Sequence, residues 1–148
     1  MTNNSVTLVQ SVKTRISTVL GGNYSELAYS NDLSKNSFKG NFNRYGLLSK
    51  EQDETDSVTQ YTTINQRFEL ILVDSFINTS MNDIQELSKG PVLQDLAYDI
   101  YRDLITTKAG SPATVITVSN FSTSAPETIQ DKAVVIRAQF TIRYRNKF

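Results

Sequence analysis

The sequence predicts an α+β domain: an antiparallel or mixed β-sheet flanked by an N-terminal helix and a broken mid-chain helix, as a two-layer sandwich. Three observations predict it. Apolar residues recur at helical spacing near the N-terminus and again over residues 93–104, and the C-terminal stretch alternates apolar and polar positions strictly. At 148 residues the chain has the size of one domain, taken as 1–148. A chain of this length can bury about two-thirds of its surface, so its core needs neither disulfides nor a structural metal.

The first element is a helix over residues 4–20. Val6, Val9, Val12, Ile16, Val19 and Leu20 form its apolar stripe, Thr2 to Ser5 offer N-caps, and Gly21-Gly22 stops it. Residues 22–43, rich in Asn, Ser, Gly and Asp with scattered aromatics, read as a long ordered loop with at most a short strand. A loop of this length usually serves function or an interface. Residues 44–49 suit a strand. Lys50 to Ser57 is a polar run with nothing to bury, read as an exposed loop and hairpin tip. Strand formers follow from Thr59 to Phe76, where Phe68, Leu70 and Leu72 alternate with Arg67, Glu69 and Ile71.

A second helical region begins near Ser80, which with Asp83 makes a weak capping box ahead of Ile84 and Leu87. Gly90-Pro91 is expected to interrupt it and start a fresh turn. Leu93, Leu96, Ala97, Ile100 and Leu104 then form a second apolar stripe, ended by Gly110 and Pro112. Thr114 to Phe121 is a β-branched strand, and 122–131 reads as a loop. The last strand places Val134, Ile136, Ala138, Phe140, Ile142 and Tyr144 on one face. Val135, Arg137, Gln139, Thr141, Arg143 and Arg145 fall on the other. One face is core; the other is wet or meets a partner.

Composition removes several function classes. There is no Cys, His or Trp, which excludes disulfide frameworks, zinc fingers, cysteine nucleophiles and His-containing triads. No stretch approaches the roughly 20 apolar residues of a membrane span, and the N-terminus lacks the pattern of a signal peptide. Fifteen basic and fifteen acidic residues cancel, but unevenly. Residues 1–50 carry six basic and two acidic groups, residues 51–131 four and thirteen, and residues 132–148 five and none. Phosphate-binding domains normally show a basic excess throughout. Segregated charge instead suits a surface that meets copies of itself or another protein, although each block also reads as a solvated face.

Three clusters are candidates for chemistry or contact. Glu51, Asp53, Glu54 and Asp56 lack the spacing and central Gly of a calcium loop, which leaves a solvated loop or a contact. Asp95, Asp99 and Asp103 share one helix face, with Arg102 beside them, the arrangement a carboxylate-dependent enzyme would need. Arg137, Arg143 and Arg145, with Lys147, mark a subunit or partner interface, a solvated face, or a phosphate-binding face without an aromatic platform. Neither Gly21-Gly22 nor Gly90-Pro91 fits a phosphate-loop pattern. No catalytic, metal-binding or cofactor residue set emerges.

The order of elements carries a resemblance. An amphipathic helix from Val6 to Leu20 leads into an aromatic–Asn segment and the long strand around Gln66 to Leu72. A helix around Leu93 to Leu104 and the terminal strand Val134 to Arg145 follow. In order and size the chain resembles the tail terminator, or tail-completion, proteins of long-tailed bacteriophages, which belong to the head–tail joining neck. The resemblance implies a non-enzymatic virion protein, made in the host cytoplasm, that forms a hexameric ring. Such a ring caps the tail tube, ends its elongation and joins the tail to the head. Its partners would be further copies of itself, the tail tube protein and the connector or neck protein. Genomic DNA would pass through the lumen without sequence-specific binding, and neither membrane nor cofactor is involved. On this reading the 51–56 carboxylates line the lumen or touch a partner, and the three arginines form the subunit interface. The alternative is another neck or adaptor module of the same fold class, also without enzymatic activity.

Overall fold

The computed structural model describes residues 4–38, 43–57, 61–75, 83–129 and 133–147. Two helices, α1 (Asn4–Leu20) and α2 (Asp83–Thr107), lie on one face of a mixed six-stranded sheet. The strands are β1 (Ser25–Glu26), β2 (Asn43–Ser57), β3 (Tyr61–Ser75), β4 (Val115–Thr123), β5 (Glu127–Ile129) and β6 (Ala133–Lys147). They run in the order β1-β2-β3-β6-β4, with β5 also on β6. Among the described residues only the short β1–β2 pair is parallel; the others are antiparallel. This is the α+β sandwich that the hydrophobic periodicities predict.

The main core lies between helices and sheet. Leu8, Val12, Ile16 and Leu20 of α1 and Leu93, Ala97, Ile100 and Leu104 of α2 are buried against the alternate residues Phe68, Leu70 and Leu72 of β3. The β6 face from Val134 to Tyr144 closes the same core. The α1 stripe differs from expectation only near its start: Leu8 is inside and Val6 is 53% exposed. A bidentate pair from Arg15 to Asp103, with contacts of 2.9 and 2.6 Å, fastens the two helices together. This hydrogen-bonded pair raises the Arg15 pKa.

Three expectations are corrected. Lys50 to Ser57 is not a loop: β2 continues to Ser57 and pairs with β3 from Gln52↔Gln66 to Ser57↔Thr62. An edge strand needs only backbone partners on one side, so it carries charge without a buried face. Residues 58–60, between β2 and β3, lie outside the described residues. Gly90-Pro91 does not break the helix, because α2 runs from Asp83 to Thr107 with Pro91 inside it. Pro91 lacks one N–H but keeps a helical φ. Gly90 is buried, and a Cβ there would meet the Pro126 ring, so its missing side chain admits the β4–β5 connection. The stretch 122–131 includes the short strand β5. The capping box at Ser80 lies outside the described residues. Past Thr107 the chain turns through three positive φ angles at Lys108, Ala109 and Gly110 before β4.

Candidate functional site

The alternation that builds the core also builds a second sheet face, away from the helices. One half of it is covered. The segment from Leu27 to Phe38, part of the expected long loop, lays Leu27, Leu33 and Phe38 onto Ile71, Val73, Ala133 and Val135. This segment therefore seals a second, smaller core. Asp32 accepts hydrogen bonds from the Ser34 backbone N–H and hydroxyl, which fixes the short 3₁₀ turn Leu33–Lys35.

The other half of the face is open and charged. Glu69 lies at its centre, 6% exposed, with its carboxylate 3.2 Å from Lys50 Nζ and 3.8 Å from Arg137 Nη1. A carboxylate this buried needs such partners, because desolvation alone penalises its charge. Glu51 accepts from Arg67 Nη1 at 3.4 Å, and both side chains are largely exposed. A shallow dent of about 450 Å³, lined by Lys50, Glu51, Arg67, Asn120, Gln139 and Thr141, runs across this half.

The register decides where the sequence-identified residues sit. Asp53 pairs with Asn65, which pairs with Arg143, which pairs with Thr117, so one row crosses the sheet from edge to edge. Paired residues of antiparallel strands share a face, so Asp53 and Arg143 point the same way at the same height. Arg145 shares its face through Thr63. Glu54 pairs with Ile64, which packs against the main core, and so it faces the helix side instead. The backbone of Asp56 pairs with Thr63. The acidic cluster is therefore divided between two faces rather than gathered into one.

The aspartates of α2 are not brought together as a site. Asp103 is committed to Arg15, whereas Asp95 and Asp99 are exposed. Among the described residues no three His, Cys, Asp or Glu side chains meet as a metal-binding group, and no helix is long and apolar enough to cross a membrane.

Three features escape sequence reasoning. The first is the Glu69 network, whose only local sign is the alternation Arg67-Glu69-Ile71 on a non-core face. The second is a groove of about 600 Å³ beside β2 on the helix side, between Ser5, Val6, Val9 and Gln10 of α1 and Ser49 and Gln52 of β2. The third is an aromatic ridge beside β4, where Phe121 stacks on Tyr101 at 4.7 Å and meets Tyr98 edge-on at 5.7 Å. Tyr98 remains 49% exposed and Ile105 46%. Arg102 lies over the Tyr98 ring at 5.9 Å. Tyr98, Tyr101 and Ile105 share a helix face at spacings of three and four, but their meeting with Phe121 is made only by the fold.

Among the described residues both outer sheet edges are unpaired over most of their length. β1 pairs with β2 only at Arg44 and Tyr45, and β4 pairs only with β6. Each edge carries a bulge at the same level of the sheet, between Ser49 and Gln52 on β2 and between Ser119 and Ser122 on β4.

No family model matches this sequence, and no curated protein matches it.

Proposed function

We propose that this chain is a ring-forming virion structural protein of the tail-terminator type, which caps the tail tube and joins it to the head connector. One observation carries the reading. On a single exposed sheet face, Asp53 stands on one edge strand and Arg143 stands beside the other, in one register row. A patch that complements a different patch on the same molecule favours heterologous association, and heterologous contacts close into rings when the rotation permits. Opposite charges at the two sides steer the correct docking and repel the reversed one.

A further feature supports it. The zero net charge suits a ring that lets double-stranded DNA through, since a strongly basic lining would hold phosphates by counterion release. The tail tube protein and the connector would stack on the two ends of the ring.

The test is the mass and image of the purified chain, alone and with isolated tail tubes. Six-fold rings, or protein seated at tube ends, are expected. A monomer that never joins a tube end overturns the reading.

A further inference from the structure

The groove beside β2 and the aromatic ridge beside β4 lie on opposite edges of the same sheet, and the register fixes their relative height. Level rows run from Gln52 through Gln66 and Ile142 to Val118, and from Leu48 through Glu69 and Gln139 to Ser122. The groove includes Ser49 and Gln52, and Phe121 of the ridge falls between Val118 and Ser122. Ridge and groove are therefore level. Both also belong to the helix side: α1 walls the groove, and the ridge packs Tyr101 and Phe121 against the main core.

We infer that the partner of the aromatic ridge is a second copy of this chain, which receives Tyr98 and its neighbours in the groove between α1 and β2. This inference rests on the ring reading above and deepens it by naming the seam. Three arguments converge on a second copy. First, the directions match. β2, β3, β6 and β4 alternate in direction, so setting β2 of one copy beside β4 of the next, helix sides together, continues the antiparallel order. Second, heights match without stagger, because the open stretch of β2 and the whole of β4 occupy the same rows. Third, charge matches on the opposite face. Asp53 of one copy would lie two strand spacings, about 10 Å, from Arg143 of the next, within the combined reach of the two side chains.

The bulges explain why the seam would be selective. Bulged edges resist indiscriminate strand pairing. Recognition then falls to what flanks the edge: a half-exposed tyrosine against a groove walled by Val6 and Val9 on one face, and Asp53 against Arg143 on the other. Aromatic anchors seated in a pocket and surrounded by a polar rim are the usual source of interface energy.

The absence of cysteine makes the test clean. Single variants Val6→Cys and Tyr98→Cys of the full chain change side chains that are about half exposed, so both are expected to fold. Each is treated at high concentration with a short bis-maleimide, alone and mixed. Heterologous contact predicts covalent dimers in the mixture, none above background in either single variant, and a ladder from the double variant. Charge exchange is the second arm. Asp53→Arg and Arg143→Asp are each expected to reduce the cross-linked fraction at least tenfold, and the two variants mixed, or combined in one chain, to restore it. Multimers or tube-capping rings without the Val6–Tyr98 cross-link overturn the seam and leave the ring reading intact. Cross-linked ladders that extend into open filaments uphold the seam and overturn the ring. A monomer without cross-links under every condition overturns both.

Discussion

Phe68 and Phe140, paired across β3 and β6, stack with ring centroids 5.6 Å apart in the sheet floor beneath the helices. Their neighbours Arg67, Glu69, Gln139 and Thr141 face the other way, onto the charged face. One strand thus separates two kinds of substitution. Phe140→Ala removes a nearly fully buried ring and is expected to cost about 3–5 kcal/mol. Arg143→Glu lies on the exposed face and is expected to change stability by no more than about 0.5 kcal/mol while impairing assembly. Chemical denaturation of the two variants checks the ranking. The reverse order would mean that β6 is inverted in register.

A second stability prediction concerns Gly90. A Cβ at this position would come 2.8 Å from Pro126 Cβ, and a proline ring cannot swing aside as a flexible side chain would. Gln94 Nε2 donates to the Ser124 carbonyl at 3.0 Å, which holds the same connection close to α2. Gly90→Ala is therefore expected to destabilise by about 1–3 kcal/mol through overpacking, although alanine is the better helix former. A gain in melting temperature would show that the connection moves freely.

What the sequence discloses and what it hides have a common physical cause. β6 is legible because burial alternates strictly from Ile136 to Tyr144 and imprints a period of two on the chain, whereas Val135, expected on the wet or partner-facing side, is buried beneath the 27–38 segment. The stripe of α2 from Leu93 to Leu104 is legible for the same reason at helical spacing. The second half of β2 is not, because an edge strand ordered by backbone pairing to β3 leaves no apolar imprint. Gly90-Pro91 reads as punctuation locally, yet its glycine answers a neighbour more than thirty residues away. The arginines of β6 are visible as a charged face. That Asp53 shares a row with Arg143, or that Phe121 meets Tyr98, depends on strand order and register, which no local pattern states.

Two tyrosines link stability to alkaline pH. Burial, and then the neighbouring Asp74, raise the Tyr24 pKa; burial, and then Glu26, raise that of Tyr45. In the unfolded chain both phenols ionise near pH 10, while the folded chain holds their protons to higher pH. Unfolding in that range releases protons, so this contribution to stability is complete below about pH 10 and is lost as pH rises through the raised folded values. A Tyr24→Phe, Tyr45→Phe double variant is expected to lose less stability than the parent between about pH 9 and 11. Parallel slopes in urea titrations at these pH values would refute the linkage.

The acidic edge yields the prediction closest to function. Changing Glu51, Asp53, Glu54 and Asp56 to Lys adds two charges at each of four positions, which takes the chain from a net charge of zero to +8. Glu51, Asp53 and Glu54 are exposed, and β2 is held by backbone pairing to β3, so each change is expected to alter stability by about 0.5 kcal/mol or less. Glu51 also loses its pair with Arg67, an exposed contact of the kind worth about 0–1 kcal/mol. If the proposed seam holds, the folded variant should fail to associate, because its β2 edge would repel Arg143 of the next copy. It should also bind double-stranded DNA more tightly than the parent and with a steeper salt dependence, since a lysine row exchanges counterions with phosphates. Sedimentation and DNA binding across a salt series measure both effects together. A variant that associates like the parent would remove these carboxylates from the seam. One that gains no DNA affinity would mean that this edge is shielded from the polyanion.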